Sequence, residues 1–255
     1  MSPQKQFSTA YLESVYTKYT HKKFVHPDPL EFLYNYTDIN DREIVALIAS
    51  SLAYGRVAQI LKSIRIVLDK IEITGQTPSQ FVKNSSKKEL TSIFKDFKHR
   101  FSTGNDLSHI LAGSKKILNK YSTFENCIAS KVAQNDETLF NGIKHFATEL
   151  TEGTFNSLIP DPSKGSACKR INLMFRWMVR QDNVDPGGWS SLTPSKLIIP
   201  LDTHMYKISL EHNLTKRKSA DLKTALEITM KFKKFAPDDP VRYDFSLTRP
   251  GIGGY

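Results

Sequence analysis

Apolar positions recur every three to four residues along most of the chain, and this spacing predicts helices. Phe7, Tyr11, Val15 and Tyr19 stand about one turn apart and predict a first helix over 7–20. Pro27 and Pro29 break the pattern, and Asp28 is placed to cap a short helix through Phe32 and Leu33. Residues 40–53 are apolar on nearly every side, as in a buried central helix, with Asn40 or Asp41 as its cap. Gly55 ends that run. A second amphipathic helix follows over 56–73, with Val57, Ile60, Leu61, Ile64, Val67, Leu68 and Ile71 on one face. Further helices are predicted at 78–84, 87–95, 106–121, 123–134, 137–151 and 166–180. Another begins at Asp202, and the last long one spans 218–235. Asp238-Asp239 before Pro240 reads as a helix cap ahead of a closing segment at 241–248. No alternating run and no hairpin signal stands out. The expected fold is all-α.

Composition narrows this picture. The chain has 255 residues, 39% hydrophobic and 24% charged, which is ordinary globular material. No apolar run approaches the roughly 18 residues that a membrane span requires. Residues 1–10 lack the apolar stretch and small-residue site of a secretory leader, so a cytoplasmic location is expected. Cys127 and Cys168 are too few for a four-cysteine zinc site or iron–sulfur cluster, and neither a metal nor a cofactor is expected. The formal charge of +10 favours phosphate-rich partners, although basicity alone has an equally bland reading.

The stretch 160–212 is the most informative. Lys169 falls in the first turn of a helix that carries Leu173, Phe175, Trp177 and Met178. Arg176 lies two turns after Lys169, so the two share a face. Asp202 opens the next long helix. Its plain reading is an N-cap.

These residues resemble the helix-hairpin-helix DNA glycosylases, and most nearly the bacterial and archaeal 8-oxoguanine glycosylase/lyases. In that superfamily a reactive lysine follows a glycine-containing hairpin and starts a helix ending in a Phe-Leu-Arg-like triplet, as Lys169 does with Phe175-Arg176. An aliphatic-Asp-x-His segment then opens the next helix, and Ile199-Pro200-Leu201-Asp202-Thr203-His204 resembles it. Residues 41–64 resemble the first core helix pair. Over nearly its whole length the chain is also similar to a bacterial family catalogued as a domain of unknown function, through the segments KRINLMFRWMVR, LIIPLDTH and DPVRYDFSL. The hairpin departs from the glycosylase pattern. Leu-Pro-Gly-Val-Gly is usual, and here only Gly165 remains, within Pro162-Ser-Lys-Gly-Ser-Ala.

The resemblance implies a helix-hairpin-helix glycosylase-like bundle. It forms one helical unit over 1–255, built from two interlocked subdomains at 38–159 and at 1–37 plus 160–255. It also implies Lys169 as nucleophile and Asp202 as the carboxylate that stabilises charge on the sugar or moves protons. A lysine is a poor nucleophile at neutral pH. Partial burial, Arg170, Arg176 and the helix N-terminus would each lower its proton affinity. The implied partner is duplex DNA with a damaged base, bound by a monomer through Lys164, Gly165, Ser166, Arg170 and Arg176. Gly165 and Ser166 would offer amides to a phosphate, and Trp189 and His204 would line the pocket of the flipped base.

Plainer readings stand beside these. Lys169 is one of many lysines. Arg176 and Arg180 can pair with acids such as Asp182 or Asp185. Trp177 reads as core, and His204 as a packed or capping histidine. Asp238, Asp239 and Asp244 suggest a metal site less strongly than a cap. The function alternatives are a catalytically silent nucleic-acid-binding module and an enzyme acting on another modified nucleoside.

Overall fold

The computed structural model describes residues 7–252. Residues 1–6, on which the expectation about a leader partly rests, lie outside the described range. The chain is predominantly helical, and none of the described helices is long and apolar enough to cross a membrane. It divides into two compact units. One comprises the described residues of Met1–His26, Asn135–Leu139 and Pro162–Tyr255; the other comprises Pro27–Gln134 and Phe140–Asp161.

Helix α1 (Thr9–Tyr19) opens the terminal unit, capped by the Ser8 hydroxyl. The central unit is built around α2 (Ile39–Ser51), whose residues from Ile44 to Ser51 are all buried. Its cap is Asp38, two or three residues earlier than the pattern suggested, because its carboxylate accepts from both Asn40 and Asp41 N–H. Two buried acids on α2 serve other helices. Asp41 accepts from Ser79 N–H at 2.8 Å in α4 (Pro78–Asn84), and Glu43 accepts from Phe124 N–H at 3.1 Å. Helix N-termini carry unpaired N–H groups and partial positive charge, so these carboxylates fix where both helices begin.

Between them, α3 (Val57–Glu72) buries Ile60, Ile64, Val67, Leu68 and Ile71, while Val57 and Leu61 remain half-buried. Helix α5 (Lys87–Ile93) is closed by a capping box of Ser86 and Glu89. A two-stranded antiparallel ribbon then appears, β1 (Lys98–His99) and β2 (Ser102–Thr103), where the sequence predicts none. Strands of two residues are too short to show alternation, and the turn rests on Arg100 at φ +55°. Helices α6 (Gly104–Tyr121), α7 (Phe124–Ala129) and α8 (Phe140–Thr151) complete the unit. Gly113 lets α6 and α8 touch: a Cβ there would sit 2.1 Å from the Leu150 carbonyl oxygen. Residues 29–35 pack on α2 and α3, so this segment belongs to the central unit and not to the terminal one. Leu139 goes the other way, its N–H donating to Lys196 O at 2.8 Å.

The terminal unit adds α9 (Lys169–Val179), α10 (Thr203–Glu211), α11 (Leu222–Lys233) and α12 (Asp244–Ile252). Helix α11 starts four residues later than expected because Asp221 caps it through Thr224 N–H. Helix α12 packs on α1 and α10. Glu13 on α1 accepts from Arg242 at 3.0 Å and from the Tyr243 hydroxyl at 2.6 Å, just ahead of α12.

Candidate active site

The start of α9 is fixed by backbone geometry. Cys168 adopts a left-handed conformation at φ +49°, which turns the chain so that Lys169 is the first helical residue, three residues later than the pattern predicts. The Ser166 hydroxyl accepts from Cys168 N–H at 3.1 Å, and Asn172 N–H closes the first turn on Cys168 O at 2.9 Å. Lys169 and Arg170 are half-buried, and Lys164 is exposed.

The segment before α9 is not a full helix. It is a single 3-10 turn, Pro162–Lys164, followed by Gly165 at φ +78°. The Gly165 N–H donates back to Pro162 O at 3.2 Å, and its carbonyl accepts from Leu222 N–H at 2.9 Å. Ser166 pairs with Asp221 in an isolated antiparallel bridge. The amide of Gly165, expected to face a phosphate, is thus spent on its own turn.

Asp202 caps α10, its Oδ1 accepting from Met205 N–H at 2.8 Å. The residues before it, Leu197 to Leu201, are buried, and Ile199 N–H is held by the Thr229 hydroxyl at 3.0 Å. This packed extended run fixes the position of the half-buried Asp202 carboxylate. His204, one residue into α10, is exposed.

Behind these two helix starts lies a buried ionic network. Arg176, expected as a DNA contact, is 3% exposed. Its Nη1 donates to Asp244 Oδ2 at 2.6 Å, and its Nε and Nη2 donate to Asp185 Oδ1 at 3.2 and 3.1 Å. A guanidinium held this way in the core does not reach a DNA backbone, which corrects that expectation and favours its plainer reading as an ion-pair partner. Arg180, one turn on, reaches Asp185, Asp182 and Asp239. Asp239 therefore serves Arg180 instead of capping a helix. The Tyr16 hydroxyl donates to Asp182 at 3.0 Å and ties α1 to the network. Burial and the Asp182 charge push this phenol up to about 12.

Charge in the network is unevenly shared. Burial pushes Asp244 up to about 6, against the pull of Arg176 and with the help of the nearby negative charge of Asp202. Burial likewise raises Asp185 despite its two arginines. Burial also acts on Asp182, but Arg180 and the N–H groups of Asp185 and Val184 outweigh it and hold this carboxyl below its ordinary value. Asp202 thus stands electrostatically next to Asp244, and Asp244 is bonded to Arg176 on the helix that Lys169 begins.

Trp189 is also displaced from its expected role. It is 5% exposed and packs edge-on against Phe175, with ring centroids 5.5 Å apart. Its N–H donates to Met178 O and that of Gly187 to Trp177 O, so the 185–189 turn wraps along α9. Trp189 is core packing here, not a presented stacking surface. Trp177 is fully buried, as its plainer reading holds. Among the described residues no group of three or more His, Cys, Asp or Glu side chains is arranged to hold a metal ion. Asp239 and Asp244 are taken by arginines.

Sequence reasoning missed Asp244 and Asp239 as partners of the two arginines. The available signal was Arg176 and Arg180, four residues apart at the end of an otherwise apolar stretch over 173–179, which demands buried acids. No curated protein and no solved structure matches the chain. One family model does, over residues 28–253, and by that match the chain belongs to the family described as protein of unknown function, DUF2400.

Proposed function

We propose that this protein is a DNA glycosylase with AP lyase activity that removes an oxidised purine such as 8-oxoguanine, with Lys169 as nucleophile. One observation carries the reading. Lys169 and Asp202 each open a helix of the same unit, and the Asp202–Asp244–Arg176 chain of charges links the start of α10 to the helix that begins at Lys169. The positive end of α9 disfavours an ammonium on its first residue and so favours the neutral amine that the chemistry needs.

In this reading the neutral Lys169 Nζ attacks C1′ of the extruded nucleotide. The C1′–N9 bond breaks, and its electron pair leaves with the base, which takes up a proton. The Nζ–C1′ adduct gives up a nitrogen proton, the C1′–O4′ bond breaks as O4′ takes up a proton, and the opened sugar is left as a protonated Schiff base. Loss of a C2′ proton then expels the 3′ phosphate by β-elimination, and water releases the lysine. The Asp202 carboxylate stabilises the positive charge that develops on the sugar.

Incubation with duplexes containing 8-oxoguanine or an abasic site, followed by sodium borohydride, tests this. A covalent adduct that vanishes in Lys169→Gln is expected. Strand cleavage that survives in Lys169→Gln overturns it. The second reading is a silent DNA-binding module, favoured by the self-bonded Gly165 amide and the lone 3-10 turn before α9. It requires DNA binding with no adduct on either duplex.

A further inference from the structure

Residues 214–235 carry seven basic and two acidic side chains. The fold sorts these charges. Both acids are engaged internally: Asp221 caps α11 and accepts from Arg217 at 2.7 Å, and Glu227 accepts from the Thr215 hydroxyl at 3.0 Å. Arg217 is part-exposed but tied down, its Nε donating to the Thr224 hydroxyl at 2.8 Å while its carbonyl accepts from the Tyr206 hydroxyl at 2.7 Å. With Arg217 anchored, its neighbours Lys216 and Lys218 both point to solvent. Along α11 the buried face is Thr224, Ala225, Ile228, Thr229 and Phe232, and the exposed side carries Lys223, Lys231 and, just past the helix, Lys234.

This cationic strip is not remote from the candidate site. The Gly165 carbonyl accepts from Leu222 N–H at 2.9 Å, and Ser166 bridges to Asp221. The strip therefore begins against the turn that leads into Lys169. An ordinary solvated helix face interleaves both signs; here both acids are part-buried and bonded to the protein's own groups, while Lys216, Lys218, Lys223 and Lys231 are exposed.

We propose that Lys216, Lys218, Lys223 and Lys231 form a track for the sugar–phosphate backbone of duplex DNA, continuous with the turn before Lys169. It rests on the proposed function for its partner, but not for its chemistry. Lysines contact phosphates as point charges and release counterions, so the track supplies affinity without reading sequence.

The test compares wild type with Lys216→Gln/Lys218→Gln/Lys223→Gln on an undamaged duplex across a salt series. An equal-charge control carries Lys83→Gln/Lys87→Gln/Lys88→Gln, all exposed in the other unit. The strip variant is expected to lose about 2 to 3 units of the log–log salt slope, close to 0.9 per phosphate contact, while the control keeps the wild-type slope. Equal losses in both variants, or no loss in the strip variant, overturn the proposal. So does a wild-type protein that binds phosphatidylserine vesicles and not the duplex. Borohydride trapping on an abasic duplex at low salt is read separately. A reduced slope with no adduct in any protein keeps the track and overturns the lyase chemistry; an intact adduct with an unchanged slope does the reverse.

Discussion

Arg176 Nη1 and Asp244 Oδ2 meet at 2.6 Å inside the terminal unit, joining the middle of α9 to the first residue of α12. Arg176 bonds Asp185 at the same time, so one guanidinium holds two buried carboxylates. A second guanidinium, that of Arg180, completes the set with Asp185, Asp182 and Asp239. Desolvated charges of this kind are tolerable only while every member is paired.

Removing Arg176 leaves Asp185 and Asp244 facing each other with less compensation. Arg176→Ala is expected to destabilise the protein by about 3–5 kcal/mol, the usual cost of stripping one partner from a buried pair. Urea titration followed by circular dichroism measures this. A loss below about 1 kcal/mol, the usual limit for an exposed pair, would place the guanidinium at the surface after all.

Asp244 gives stability a definite pH dependence. Its folded value of about 6 lies above the ordinary 3.8, so the folded state binds this proton more tightly than the unfolded chain does. The stabilisation is complete below the unfolded value and is lost as pH rises through about 6. The charged groups acting on it are Arg176, Asp202 and Asp185. Thermal melts of wild type and Asp244→Asn between pH 4 and 7 should diverge, with the wild type losing stability relative to the variant as pH rises. Parallel curves would contradict the assignment.

Asp202 has two separable duties. Asparagine caps helices about as well as aspartate, whereas alanine costs about 1 kcal/mol. Asp202→Asn should therefore melt like wild type yet lose borohydride-trapped adduct, and Asp202→Ala should lose both. An active Asp202→Asn would reduce this residue to its cap.

Gly113 marks where α6 and α8 come closest. Because a Cβ there falls 2.1 Å from a backbone carbonyl oxygen, no side-chain rotation relieves the clash. Gly113→Ala is expected to cost about 1–3 kcal/mol or more by forcing the helices apart, with the denaturant midpoint as readout. A neutral substitution would mean that the two helices can separate freely.

The sequence by itself determined the helices and most of their order. The 40–53 and 56–73 predictions coincide closely with α2 and α3 because burial on a helix leaves a period that local spacing records. Asp202 was legible as a cap because capping acts over three residues. Tertiary structure decided what depends on distant partners. The capping acids Asp41 and Glu43 act on helices 38 and 81 residues away, the left-handed Cys168 delays α9, and Arg176 finds Asp244 across 68 residues. Cations set in an apolar stretch call for buried counter-charges, but the sequence does not say which distant acids supply them. Only the folded chain supplies those partners, and only the fold moved Arg176 from the expected DNA contact, and Trp189 from the expected base pocket, into the core.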